Sequence, residues 1–440
     1  MSVRNATPGR QITSWDPERA WDSKVAWPTL WTTTYSLMLG FMVWYLTSSL
    51  APLLQGAQII TGSQAYWLAA MPGLAGGLLR LVWTFLPPVM GTRRLVLWST
   101  IGMILPMAGW AWLLAVPAPP FSAMMALAFL TGIGGGVFSG YMPSTSYFFP
   151  KSKQGTALGL QAGIGNFGVS VVQLLTPVVV GAPLFGASKL VTSAAKPDRL
   201  VWLQTAPALI IPLLAISAVL AAIVLKSVPI KANFRQQFDI FSNKHTWFMT
   251  VEYLLTFGIF SGLAGQFGNL LGDLYSTVPT ISWLGGTTIA FLGAFIGSLA
   301  RVAWGPLCDK FGGGPWTVVS GGGIALSTIP ILIGLAKDVQ GRQDLVPMPL
   351  FLTGMFAIFF FAGVGNASTF KQMPMIFPAR QAGGVIGWTA AAAALGPFLF
   401  GVAFDTFSKT AVFSFVLAYA VVCAALAWWY YARPGAEARS

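Results

Sequence analysis

Arg80 lies in "GGLLRLVWTFLPPVMG" (76–91), in a region otherwise nearly free of charge. Residues 25–79 carry no charged side chain, and after Arg94 none recurs until Lys151. Arg301 lies in "GSLARVAWGPLCDKFG" (297–312). Sliding the chain along itself by 221 residues lays one stretch on the other, with six identical positions: Gly76/Gly297, Leu78/Leu299, Arg80/Arg301, Trp83/Trp304, Leu86/Leu307 and Gly91/Gly312. An arginine in a hydrocarbon interior costs about 2.5–3.5 kcal/mol on insertion scales, so a matched pair needs a use. A guanidinium presents paired N–H donors that fit two oxygens of one anion. Two such forks make a clamp for a small anion with two or three oxygens, a chemistry a halide would not exploit.

The elements that position this pair are set by composition. Hydrophobic residues make up 55% of the chain and charged residues 8%, with mean hydropathy +0.70, whereas soluble domains carry about a quarter charged residues. Apolar runs long enough to cross a hydrocarbon core of about 30 Å recur along the chain. They predict an all-α polytopic membrane protein of twelve helices, near 28–49, 64–89, 95–115, 121–147, 155–182, 201–225, 246–271, 281–306, 315–336, 346–369, 381–404 and 409–432. Spans two and eight run in the same direction, so the halves are parallel six-helix repeats. That is the major facilitator architecture, which places its site at the midplane between the halves. The expected division is a tail (1–27), a first bundle (28–225), a basic linker (226–245), a second bundle (246–432) and a second tail (433–440).

The formal charge of +13 follows the positive-inside rule. With the N-terminus inside, sixteen Lys and Arg fall on internal segments and six on external loops. Both termini are therefore expected in the cytoplasm, in the cell inner membrane, and no nucleic-acid partner is needed. The polar first 27 residues lack the apolar core of a signal peptide. One histidine, His245, and two separated cysteines, Cys308 and Cys423, argue against a metal centre, a cofactor or a Ser-His-Asp triad, so an enzyme is not expected. Carboxylates near the spans are few: Glu252, Asp273, Asp309 and Asp405. Arg80 and Arg301 therefore call for an anion from outside the protein.

Span five carries "GTALGLQAGIGNFGVSVVQ" (155–173), span ten "FFFAGVGNASTFKQMPMIFP" (359–378) and span four "GIGGGVFSGYMP" (132–143). Glycines spaced by four let helices approach closely, but Asn166 is an amide in mid-span that needs a partner. These segments, with "LLRLVW" and "LARVAW", resemble the nitrate/nitrite porter family of the major facilitator superfamily, and the likeness runs through nearly the whole chain. It implies that nitrate or nitrite lies between Arg80 and Arg301. Gly163, Gly165 and Asn166 would come from the span-five signature, Tyr253 from span seven, and aromatic walls from Phe138 and Phe370. Lys371 departs from the family pattern: it either reaches the interface or adds a positive charge to the inner pathway. The run Ala390–Ala394 stands where the family carries a small polar residue, so no side-chain contact is expected there.

Proton coupling would need an intramembrane titratable group, and only Glu252 is available. Two arginines facing each other empty would repel by about 4 kcal/mol at 4 Å and an effective dielectric of 20, and a bound anion would remove that barrier to closure. Nitrate/nitrite antiport is thus expected of a monomer in the lipid bilayer. Nitrate/proton symport is the alternative, and an anion receptor without transport is the alternative of another class.

Overall fold

The computed structural model describes residues 11–12, 14–192, 198–229, 239–275, 285–336 and 347–440, the side chains of 285–288, 379 and 380 excepted. Twelve of its helices are long and apolar enough to cross a membrane: α1 Ser23–Gly56, α2 Gly62–Phe85, α3 Thr92–Ala115, α4 Phe121–Ser146, α5 Lys151–Val179, α6 Thr205–Val224, α7 Lys244–Tyr275, α8 Ile289–Phe311, α9 Gly314–Ala336, α10 Met348–Ile376, α11 Gln381–Thr406 and α12 Lys409–Ala432. The chain is a multi-pass membrane protein. Lys196, Lys337, Arg342 and the middle of the expected linker lie outside the described residues.

Local chemistry explains where the helices depart from expectation. α2 stops at Phe85 because Pro87 and Pro88 supply no N–H, and Pro87–Met90 form a separate short turn. The sixth span starts at Thr205 rather than 201 because Arg199–Val201 (β2) pairs antiparallel with Lys189–Val191 (β1). α10 continues to Ile376, which places Lys371 within a helix rather than past its end. The repeat pair Gly91 and Gly312 shows one backbone solution twice: both have positive φ, 73° and 84°, where a side chain would be strained. Each makes the turn that follows its arginine-bearing helix.

Trp21, before α1, and Ser440 pack on the same face, the terminal face. The Trp21 indole donates to the Phe148 carbonyl (3.1 Å), and the Gly314 N–H donates to the Ser440 carbonyl (2.7 Å). The β1–β2 hairpin marks the opposite face. There, the Tyr66 hydroxyl donates to Asp273 (2.6 Å), the Trp67 indole to Asp405 (2.9 Å) and the Asn269 amide to the Ala65 carbonyl (3.2 Å). Each of these bonds joins α2 to α7 or α11, closing the seam between the two repeats on the hairpin face.

Candidate functional site

Arg80 is fully buried and held from three sides. Its Nε donates to the Gly135 carbonyl of α4 (2.9 Å) and its Nη1 to the Ala390 carbonyl of α11 (2.8 Å), while Nη2 has no partner. Its Cζ lies 4.7 Å from the Phe138 ring centroid, 5.1 Å from Phe257 and 5.2 Å from Trp44. Such contacts contribute up to about 2 kcal/mol each when desolvated. The glycines of α4 make this cradle possible. A Cβ at Gly134 would collide with the Gly40 carbonyl, and one at Gly135 would meet the Trp44 ring, whose own indole donates to the Pro72 carbonyl at 2.8 Å.

Arg301 is 4% exposed, and its Cζ lies 4.9 Å from Phe370, the only ring within such range among the described residues. Its Nη1 has no partner. Among the described residues no carboxylate pairs with either arginine, and the two lie near enough to repel. The expectation of unpaired cations needs one correction. Arg80 spends two donors on backbone carbonyls, one of them across the seam, because helix geometry at Gly135 and Ala390 leaves those oxygens facing it.

Tyr253 is fully buried, and its hydroxyl faces both arginines, near enough to Arg301 to interact with it but without a partner of regular hydrogen-bond geometry. Directly after it α7 widens into a π-helical turn, Leu254–Gly258, a distortion frequent at functional sites. The turn brings Phe257 parallel to Tyr253, with centroids 5.4 Å apart and planes at 6°. Phe138 touches both Phe257 (6.5 Å) and Phe370 (6.0 Å), and Phe370 touches Tyr253 (5.3 Å). Phe138, Tyr253, Phe257 and Phe370 thus form one aromatic wall around the two guanidinium groups. Phe257 and Trp44 were not expected from the sequence. Phe257 had a signal, one turn after Tyr253 on the same helix face, whereas Trp44 on α1 had none.

Asn166 is fully buried and neither amide atom has a partner. One turn away, a Cβ at Gly163 would collide with Val302, the residue after Arg301, and one at Gly165 would meet Leu37 of α1 at 2.7 Å. The two glycines therefore bring α5 against α8 and α1, with Asn166 one turn after Gly163 on the same helix. Lys371 forms an ion pair with Asp309 of α8 (2.6 Å), which offsets its charge within the second repeat. α11 contributes no polar side chain from Ala390–Ala394, but it does supply the Ala390 carbonyl.

Toward the terminal face close contact between the two repeats becomes sparser. α5 and α8 touch at Gly163 and Val302, yet a Cβ at Gly159 or at Gly305, each about one turn further on, would meet nothing within 4 Å. Likewise α2 and α11 touch at Thr84 and Gly387, whereas Gly383 is open. Beyond the α5–α8 gap, the Asp309 carboxylate lies 4.0 Å from where a Gly155 Cβ would sit. The seam is hydrogen-bonded on the hairpin face and lacks close contact at Gly159, Gly305 and Gly383 toward the terminal face, while the arginines themselves stay buried.

Residues 33–395 match the profile of the Major Facilitator Superfamily. The chain is 50% identical, over 98% of each sequence, to a probable nitrate/nitrite antiporter of Thermus thermophilus. It is 32% identical to a nitrate/nitrite transporter of Salmonella typhimurium, covering 98% of this chain and 99% of the relative. It is 27% identical to a nitrite extrusion protein of Bacillus subtilis, covering 87% and 91%.

Proposed function

The chain belongs to the major facilitator superfamily, within its nitrate/nitrite porter branch, and from that premise we propose that it exchanges nitrate for nitrite by alternating access. One observation carries the reading: two buried guanidinium groups, one from each repeat, share an aromatic-walled site with unpartnered donors on Arg80, Arg301, Tyr253 and Asn166. Buried donors without partners cost about 1–3 kcal/mol each, and more for charged groups. A planar oxyanion satisfies several at once. The flat ring faces suit its apolar faces while the forks hold its edge.

The seam supports alternating access. The hairpin face is hydrogen-bonded shut and the terminal face lacks close contact at Gly159, Gly305 and Gly383, which supports opening toward the terminal side. The excess of Lys and Arg supports assigning that side, with both termini, to the cytoplasmic face of a bacterial inner membrane. The proposed units are bundles 28–225 and 246–432, joined by 226–245. A bound monovalent anion lies between two repelling cations and offsets one of their two charges, lowering the barrier to closing the site on both sides. Closure of the empty carrier retains that barrier, and exchange becomes obligatory.

The second reading, nitrate/proton symport, has one observation in its favour. Glu252 is fully buried and both its carboxyl oxygens lack partners. It faces Tyr419 and Cys423 of α12 rather than the arginines, which sets it to one side of the anion. The test is labelled nitrate uptake into proteoliposomes. Antiport predicts uptake into vesicles loaded with nitrite and negligible uptake into empty ones, with or without an inward proton gradient. Gradient-driven uptake into empty vesicles would overturn antiport and make Glu252→Gln the next variant. Binding without any exchange would leave a receptor.

A further inference from the structure

We propose that Asn366 is a second amide ligand of the anion, set on the opposite flank of Arg301 from Asn166. The inference rests on the transport reading above and deepens it. Asn366 is fully buried, and neither its Nδ2 nor its Oδ1 has a partner. In a bilayer no water compensates an amide left so, which makes a bare asparagine as costly there as at Asn166.

Its place on α10 aims it at the site. Phe359, Asn366 and Phe370 are spaced by seven and four, so they share one helix face. Phe370 covers Arg301 and touches Tyr253, and Phe359 packs on Phe260 of α7 at 5.9 Å. Asn366 lies between them on the stripe that faces α7 and α8. One turn before it, a Cβ at Gly363 would collide with the Gly297 carbonyl and meet Ala300 at 2.8 Å. Helical side chains lean toward the helix N-terminus. The Arg301 head is therefore drawn back along α8 toward Gly297, where parallel α10 presents Gly363 and Asn366.

Asn166 reaches α8 from the other side by the same means. Gly163 abuts Val302, and Asn166 shares a face with Gln173, whose amide crosses the seam to donate to the Ala264 carbonyl of α7 (2.8 Å). Both asparagines end the same short pattern, Ala-Gly-x-Gly-Asn, at 162–166 and 362–366. In each, the first glycine brings the helix onto α8 and the amide follows three residues later. Arg301 is bracketed by two amides, one from each repeat. An amide donates two N–H bonds and accepts through its oxygen, so the pair can donate to anion oxygens while accepting from Arg301 or Tyr253.

Nitrate titration into the detergent-purified full chain by calorimetry, with melting curves in parallel, tests this. Asn366→Ala should bind nitrate about tenfold more weakly, as should Asn166→Ala, with Tm within about 2 °C of the parent. Asn366→Asp should abolish binding, because its carboxylate would neutralise Arg301 internally, and should not lower Tm. Unchanged affinity in Asn366→Ala, or retained binding in Asn366→Asp, would overturn the inference while leaving the transport reading intact. A parent protein that binds neither nitrate nor nitrite would overturn that reading and the inference with it.

Discussion

Arg80 and Arg301 are one position in the sequence repeat, yet they occupy different surroundings. Arg80 has two backbone acceptors and three ring faces; Arg301 has one ring face and an unpartnered Nη1. The first repeat therefore supplies an anchored cation, bonded across the seam to Ala390. The second supplies a cation whose binding capacity is largely unspent. In the proposed clamp Arg80 is the fixed jaw and Arg301 the responsive one, whose coordination the anion would complete.

Lysine substitution should break the comparison most sharply. Arg80→Lys and Arg301→Lys are each expected to reduce nitrate/nitrite exchange in proteoliposomes to background, since lysine keeps the charge and loses the fork. They should differ in stability. Arg80→Lys strands at least one of the carbonyls of Gly135 and Ala390, at about 1–3 kcal/mol, and should lower Tm. Arg301→Lys should melt close to the parent. Equal Tm losses would show that the two arginines are anchored alike.

The ring faces sharpen it at intermediate size. Phe370→Leu removes the one ring over Arg301, whereas Phe257→Leu removes one of three over Arg80. A desolvated cation–π contact contributes about 0.5–2 kcal/mol, so Phe370→Leu should weaken nitrate binding several-fold and Phe257→Leu by less. The reverse order, read by calorimetry, would place the responsive jaw at Arg80.

The smallest effect is expected at Lys371. It is about a third exposed and paired with a half-exposed Asp309, and such pairs contribute about 0–1 kcal/mol. Lys371→Gln should leave nitrate affinity within about twofold. A loss as large as that of Asn366→Ala would show that its charge reaches the anion.

The sequence by itself determined the twelve spans, because each is a local property: some twenty apolar residues must bury their backbone as helix in lipid. It determined the repeat, and with it the two arginines, because a charge in an apolar run is visible without any fold. Asn166 and Tyr253 were legible for the same reason, as polar groups in mid-span, aided by the family likeness. What the tertiary structure decided is how these groups are met. The Arg80 bond to Ala390 joins residues 310 apart, through a backbone oxygen that no side-chain pattern encodes. Trp44 and Phe257 are ordinary aromatic residues until packing turns their faces to Arg80. The unequal bonding of two identical arginines follows from the different carbonyls and rings that packing sets around each. The repeat makes the two positions alike in sequence; only the packing of one bundle against the other makes them differ.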